Sequence, residues 1–314
     1  MDRQGRAATV LSLSLVCLLL AAADTGGVSA IRASRWMAKD ADPVRVLGTV
    51  EAECLRPVVG DKAYLVEVGR AAFRTPLLLG GQAARAGITC ETCHQGGRRN
   101  ADFQFPGLSG APGTADVTTA LFSSHRDDGI DNPKPIPDLG GPKARLKVSQ
   151  DAATPQLETF IHGQITEEFN GAEPPATVLK GLATYVRSMS PQACPAQERT
   201  ALGPAHYASD ATRAVEAAIG ALDRHDPDTA ILMLASARSR LGLIYERYDQ
   251  PDATRSRAYL TTADADLAAA LERIRSGDAG VRERLTVWLV RARDGRVILE
   301  ADEPGSLFNP RRLR

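Results

Sequence analysis

Residues 89–95 read "TCETCHQ", so Cys90 and Cys93 are followed directly by His94. Three metal-affine side chains within five positions leave few folds open. A structural zinc site needs four ligands, and the chain has no second Cys-x-x-Cys and no closely spaced histidine pair. A thioredoxin-like dithiol wants a preceding strand and a βαβ context, neither of which the sequence shows. Covalent attachment of haem c satisfies the spacing. Two thiols add to the porphyrin vinyl groups, and the adjacent imidazole is held beneath the iron as proximal ligand.

Attachment of this kind belongs to an exported protein, and the start of the chain fits. Residues 1–30 carry Arg3 and Arg6, then "ATVLSLSLVCLLLAAA", then the small-residue end "VSA". Basic start, short apolar core and cleavage-like end read as a secretory signal peptide, with a retained N-terminal anchor as the competing reading. A lipoprotein site at Cys17 is the weaker alternative, because bulky Val16 precedes it. No later stretch approaches the roughly 20 apolar residues of a spanning helix, so no integral membrane span is expected after cleavage. The expected location is periplasmic or secreted.

Lys plus Arg and Asp plus Glu both number 38. Losing Asp2, Asp24, Arg3 and Arg6 with the signal keeps the balance at zero. Nothing points to nucleic acid or to an anionic membrane surface. Of five cysteines, Cys17 leaves with the signal and two belong to the motif. Cys54 and Cys194 remain as one pair in an oxidising compartment, and a disulfide is expected between them, against the alternative of two unrelated buried thiols.

The flanks of the motif are more specific than the motif itself. Upstream stands "VEVGRAAFRTPLLLGGQAARAGITCETCH" and downstream "FQFPGLSGAPGTADVTTALFSSHRDDG". With Gly69, Phe73 and Pro76 before the cysteines, Phe105, Pro106 and Leu108 after them, and Phe122, His125 and Gly129 further on, the chain resembles the di-haem cytochrome c peroxidase and MauG family. "QLETFIHGQITEEF" is similar to the helix that follows in that family, and "ATVLKGLATYVRSM" to the closing helix of cytochrome c domains. The resemblance covers about residues 61–190 and implies one haem domain. That family carries two haems and passes electrons between two irons. This chain has a single Cys-x-x-Cys-His, and residues 31–61 are too few to hold a second haem domain.

The expected fold is mainly α, a cytochrome c-like haem domain followed by a helical bundle and a C-terminal β-hairpin. The organisation expected is signal peptide 1–30, extension 31–60, haem domain 61–195, helical module 203–277 and hairpin 284–302. Val178, Leu179, Leu182, Tyr185, Val186 and Met189 recur at helical spacing. "DGIDNPKPIPDLGGP" is rich in proline and glycine and reads as an extended loop. Beyond Gly203 three amphipathic patterns follow. The second opens with Asp226 as cap and Pro227 at the first helical position. "RLTVWLVRARDGRVILEAD" has two apolar runs around Asp294-Gly295, a hairpin signal.

The sixth position on the iron separates an electron carrier from an enzyme, since an open position admits peroxide. Candidate ligands are His162, in the helix similar to the one from which the family's high-potential haem takes its axial methionine, then His125 and Met189. An open site is the remaining alternative. Met189 also reads as core, and His206 and His225 as surface residues. Arg98 and Arg99 read either as partners of haem propionates or as solvated loop residues. Glu167 or Glu168 near the iron would supply the acid–base group of a peroxidase-like site. The expected function is that of a mono-haem c-type cytochrome exchanging electrons with a redox protein partner, through its haem edge or its helical module. The alternative is a peroxidase-like enzyme acting on hydrogen peroxide or on a protein partner.

Overall fold

The structure is a computed structural model describing residues 31–140, 144, 147–196 and 198–314. The expected signal peptide, residues 1–30, lies outside the described residues.

The chain is mainly helical, with a small antiparallel pairing. In order it forms α1 (Pro43–Gly48), β1 (Thr49–Glu51), α2 (Asp61–Phe73), α3 (Gly81–Arg85), α4 (Cys90–Cys93), β2 (Thr114–Ala115), β3 (Lys134–Pro135), α5 (Gln156–Gly163), α6 (Ala176–Ser188), β4 (Arg199–Ala201), α7 (Pro204–Leu222), α8 (Pro227–Tyr245), α9 (Thr254–Arg275) and α10 (Val281–Asp302). β1 pairs antiparallel with β4, with Val50 opposite Thr200, and β2 pairs with β3. A five-residue π-turn, Gln164–Glu168, continues α5.

α2 and α6 cross at two glycines. A β-carbon on Gly69 would lie 2.1 Å from the Gly181 carbonyl oxygen, so no larger residue fits without moving a backbone. The α6 stripe is seated as its spacing predicts, with Val178, Leu182, Tyr185 and Val186 buried. Met189 caps the helix and is also buried.

Cys54 and Cys194 are joined in a disulfide, as their parity predicts, with Cα atoms 4.0 Å apart and 140 residues of separation. The bond lies beside the β1–β4 pairing, where Ser190 N donates to the Cys54 carbonyl at 2.7 Å. Together they clasp the two ends of the segment that carries the Cys-x-x-Cys-His motif. Closing a loop of this length removes about 4–5 kcal/mol of unfolded-state entropy in the chain-entropy model. We expect non-reducing peptide mapping to recover the joined pair, and Cys54→Ser/Cys194→Ser to lower unfolding stability by up to that amount without changing the optical spectrum. Two freely alkylated thiols in the native protein would refute the bond.

α7, α8 and α9 stand where the three amphipathic patterns place them. Asp226 caps α8 as expected, its Oδ1 accepting from Thr229 N at 3.0 Å. The expected hairpin over 284–302 is corrected, because that stretch is the single helix α10. Its inward residues Val281, Leu285, Trp288, Gly295 and Leu299 recur at steps of four, three, seven and four, which keep to one face of an α-helix. Asp294-Gly295 is no turn. A β-carbon at Gly295 would fall 1.9 Å from Cζ of Tyr259, so this glycine makes room for a ring on α9. Exposed Val287, Val290 and Val297 supplied the strand-like appearance while adding nothing to the core. α7 and α8 also pack against α2, and one hydrophobic core runs through both halves of the chain. The break drawn near residue 200 separates sequence patterns without separating cores.

Candidate functional site

The motif forms one helical turn, and its own threonines hold it. Thr89 Oγ1 accepts from Thr92 N at 3.1 Å while Thr92 Oγ1 accepts from Thr89 N at 3.0 Å, a reciprocal capping box. His94 N donates to the Cys90 carbonyl at 2.9 Å, and Asn100 N to the Cys93 carbonyl at 2.9 Å. Cys90 and Cys93 thus leave one turn as two free thiols.

Burial pushes the pKa of both thiols up to about 12. Disulfide exchange works through a thiolate, which such surroundings disfavour. Among the described residues, no group of three or more His, Cys, Asp or Glu side chains is gathered to hold a metal ion.

His94 Nδ1 donates to the Pro137 carbonyl oxygen at 3.0 Å. That bond fixes the tautomer and leaves the Nε2 lone pair for a metal. Burial also lowers the His94 pKa to about 4, so the ring is neutral at ordinary pH, the form that ligates. Phe73 lies tilted beside it, ring centroids 6.5 Å apart, and Tyr185 meets Phe73 edge-on at 5.3 Å. Two thiols on one turn beside a tethered neutral imidazole fit a covalently held haem: Cys90 and Cys93 would carry it and His94 would bind its iron.

Behind the motif lies a buried ionic hub. Glu91 turns inward, accepting from Gly96 N at 3.2 Å, with its other oxygen 3.5 Å from Arg74 Nε. Burial raises the Glu91 pKa. Arg74, 4% exposed, also bonds Glu53 at 2.6 Å and Asp210 at 2.8 Å, and its carbonyl accepts from Arg240 at 2.5 Å. Burial alone would raise Asp210, but Arg74 and Arg240 outweigh it and hold the carboxyl below its ordinary pKa. Tyr185 donates to the same Glu53 oxygen at 2.7 Å. The aromatic packing beside His94 is thereby tied to α7 and α8.

The remaining candidates lie on different elements, although Ser123 and Arg126 tie the loop of His125 to Glu167 on the π-turn. His162, at the last turn of α5, pairs through Nε2 with Glu173 at 2.7 Å and is about one-third exposed. His125 lies exposed in the loop after Phe122. Met189 is wedged against the loop that holds His94, where a β-carbon on Gly97 would come within 2.5 Å of its sulfur. That placement fits its reading as core. Glu167 pairs with Arg126 at the surface. Glu168, on the π-turn, has a buried Oε2 with no hydrogen-bond partner, and burial raises its pKa. Arg98 is buried and pairs with Glu198 at 3.2 Å, whereas Arg99 is exposed. His206 is not a surface residue but lies half-buried beside Tyr207 and Asp210.

Sequence reading missed the Pro137 tether and the Arg74 hub. The proline-rich loop signals extended chain without marking which carbonyl meets the imidazole, and the hub's members are far apart in sequence. No helix among the described residues is long and apolar enough to cross a membrane. The chain matches no known family model, no curated protein and no solved structure.

Proposed function

We propose that the chain is an exported mono-haem c-type cytochrome that passes single electrons to or from a protein partner. The observation that carries this reading is the capped Cys90–Cys93 turn beside His94, whose Nδ1 is engaged by Pro137 and whose Nε2 is left for iron. A haem held there supplies one-electron transfer at its iron. The chain's part is to hold the imidazole neutral and oriented, with Phe73 beside it and Tyr185 packed behind Phe73. The resemblance over residues 61–190 supports a cytochrome c-like haem domain, and the single motif favours a carrier over di-haem chemistry.

His162 would be the second protein side chain to hold the iron. Its present partner, Glu173, is well exposed, and an exposed pair is worth at most about 1 kcal/mol, a small obstacle to ligation. The second reading, a peroxidase-like site, draws on Glu168, a shielded carboxyl with a raised pKa on the π-turn directly after α5. The ferric optical spectrum separates the two. A carrier is expected to be low-spin without the long-wavelength band of a methionine-bound iron, and His162→Ala is expected to turn it high-spin and let cyanide bind. A high-spin wild type that consumes peroxide, with activity lost in Glu168→Gln, would establish the enzyme instead. An unchanged His162→Ala spectrum would move the ligand to His125.

A further inference from the structure

Three arginines converge on Tyr207. Asp210 acts on Arg240 and Glu246 on Arg247 through space, yet among the described residues none of the three makes a direct ion pair. Arg35 reaches the Tyr207 hydroxyl at 3.5 Å and otherwise donates to backbone, including the Thr49 carbonyl at 3.1 Å. Arg247, 9% exposed, donates to the Leu47 carbonyl at 2.9 Å and lies 6.0 Å from the Tyr207 ring centroid. Arg240, 5% exposed, stands at the same distance from the ring, and its Nε is buried without an acceptor. Among the described residues none of the three has a carboxylate at ion-pair distance. Burial alone would raise the Tyr207 pKa, yet the three guanidiniums outweigh it and lower it, so the positive field is felt at the ring. Buried charges are ordinarily paired, because an unpaired ion away from water is costly.

The cluster opens outward. Arg35, Arg247 and Tyr207 line a pocket of 690 Å³, whose rim carries Arg85 and Arg32. That volume lies in the range of small-ligand sites, about 300–1,000 Å³. Four guanidiniums face one carboxylate, Glu246, which Arg32 already holds at 3.0 Å. Guanidinium forks match the oxygens of phosphates and carboxylates, and the tyrosine hydroxyl adds a donor.

We propose that this pocket binds a freely exchanging oxyanion, a phosphate or carboxylate group held by Arg35, Arg247 and Tyr207. His94, Cys90 and Cys93 are not among the residues that line this pocket.

The test is thermal unfolding and calorimetry of the full haem-loaded protein with inorganic phosphate, at ionic strength fixed with chloride. Saturable binding with a rise in Tm is expected for phosphate beyond the chloride control. Arg35→Gln is expected to weaken binding about tenfold, the loss of one charge-assisted contact. Arg85→Gln, an exposed rim residue whose loss spares the core, should weaken it several-fold. Arg35→Gln and Arg247→Gln also remove bonds to backbone carbonyls, so Arg85→Gln carries the test if they do not fold. The proposal falls if phosphate acts no differently from chloride, or if every variant that folds binds as wild type. Binding seen solely in the haem-free Cys90→Ala/Cys93→Ala protein would also overturn it, by assigning the arginines to the haem's own carboxylates. An intact phosphate site in a protein that takes no haem would leave the pocket standing and the cytochrome reading refuted.

Discussion

Protein carrying Cys90→Ala and Cys93→Ala is expected to lose all haem stain on a denaturing gel, whereas the wild type keeps it. Covalent attachment needs a thiol at each end of the α4 turn, and the Thr89–Thr92 capping box sets those ends one turn apart. Each single variant retains one thiol and is expected to hold haem weakly and in lower yield. His94→Ala leaves both thiols but removes the imidazole that Pro137 orients, so haem taken up should show an altered spectrum. The assignment fails if acid-acetone extracts intact haem from the wild-type protein, or if the double variant stains like wild type.

Arg74→Leu is expected to destabilise the chain by about 3–5 kcal/mol, the cost of removing one partner of a buried ion network. Arg74 answers Glu53, Asp210 and, more distantly, Glu91, and its removal leaves carboxylates in a site that disfavours charge. Arg74→Lys should recover little of this, since a single ammonium cannot bridge three directions as a planar guanidinium does. The measurement is the denaturant midpoint of each variant with haem attached. Because the hub joins α2 and the motif turn to α7, loss of Arg74 is also expected to broaden the transition. A change under 1 kcal/mol would show that the network contributes little net stability.

Part of this architecture is legible in the sequence, for identifiable reasons. Local spacing encodes the α6 stripe, the Asp226 cap and the three helices after Gly203, since each depends on neighbours a few positions apart. The disulfide follows from counting cysteines. α10 is misread because Asp294-Gly295 between β-branched runs has the chemistry of a turn, while the deciding fact is the Tyr259 ring against Gly295. Tertiary packing overrode local propensity there. Cys90, Cys93 and His94 announce themselves by adjacency. Pro137, Arg74 and the arginines around Tyr207 do not, because folding alone brings them together.

The Cys54–Cys194 clasp has a consequence for how the molecule tolerates damage. Residues 124–131 are exposed without interruption, the sort of loop where proteases cut. That loop lies inside the covalent ring closed by the disulfide, as do the motif and Pro137. A nick there produces two chains that stay bound through one sulfur–sulfur bond, with the cysteine turn on one piece and α6 on the other. After reduction they are held by noncovalent contacts alone, α2 against α6 and β1 against β4 among them. A cut in this loop therefore leaves both pieces in one covalently joined molecule until the bond is reduced.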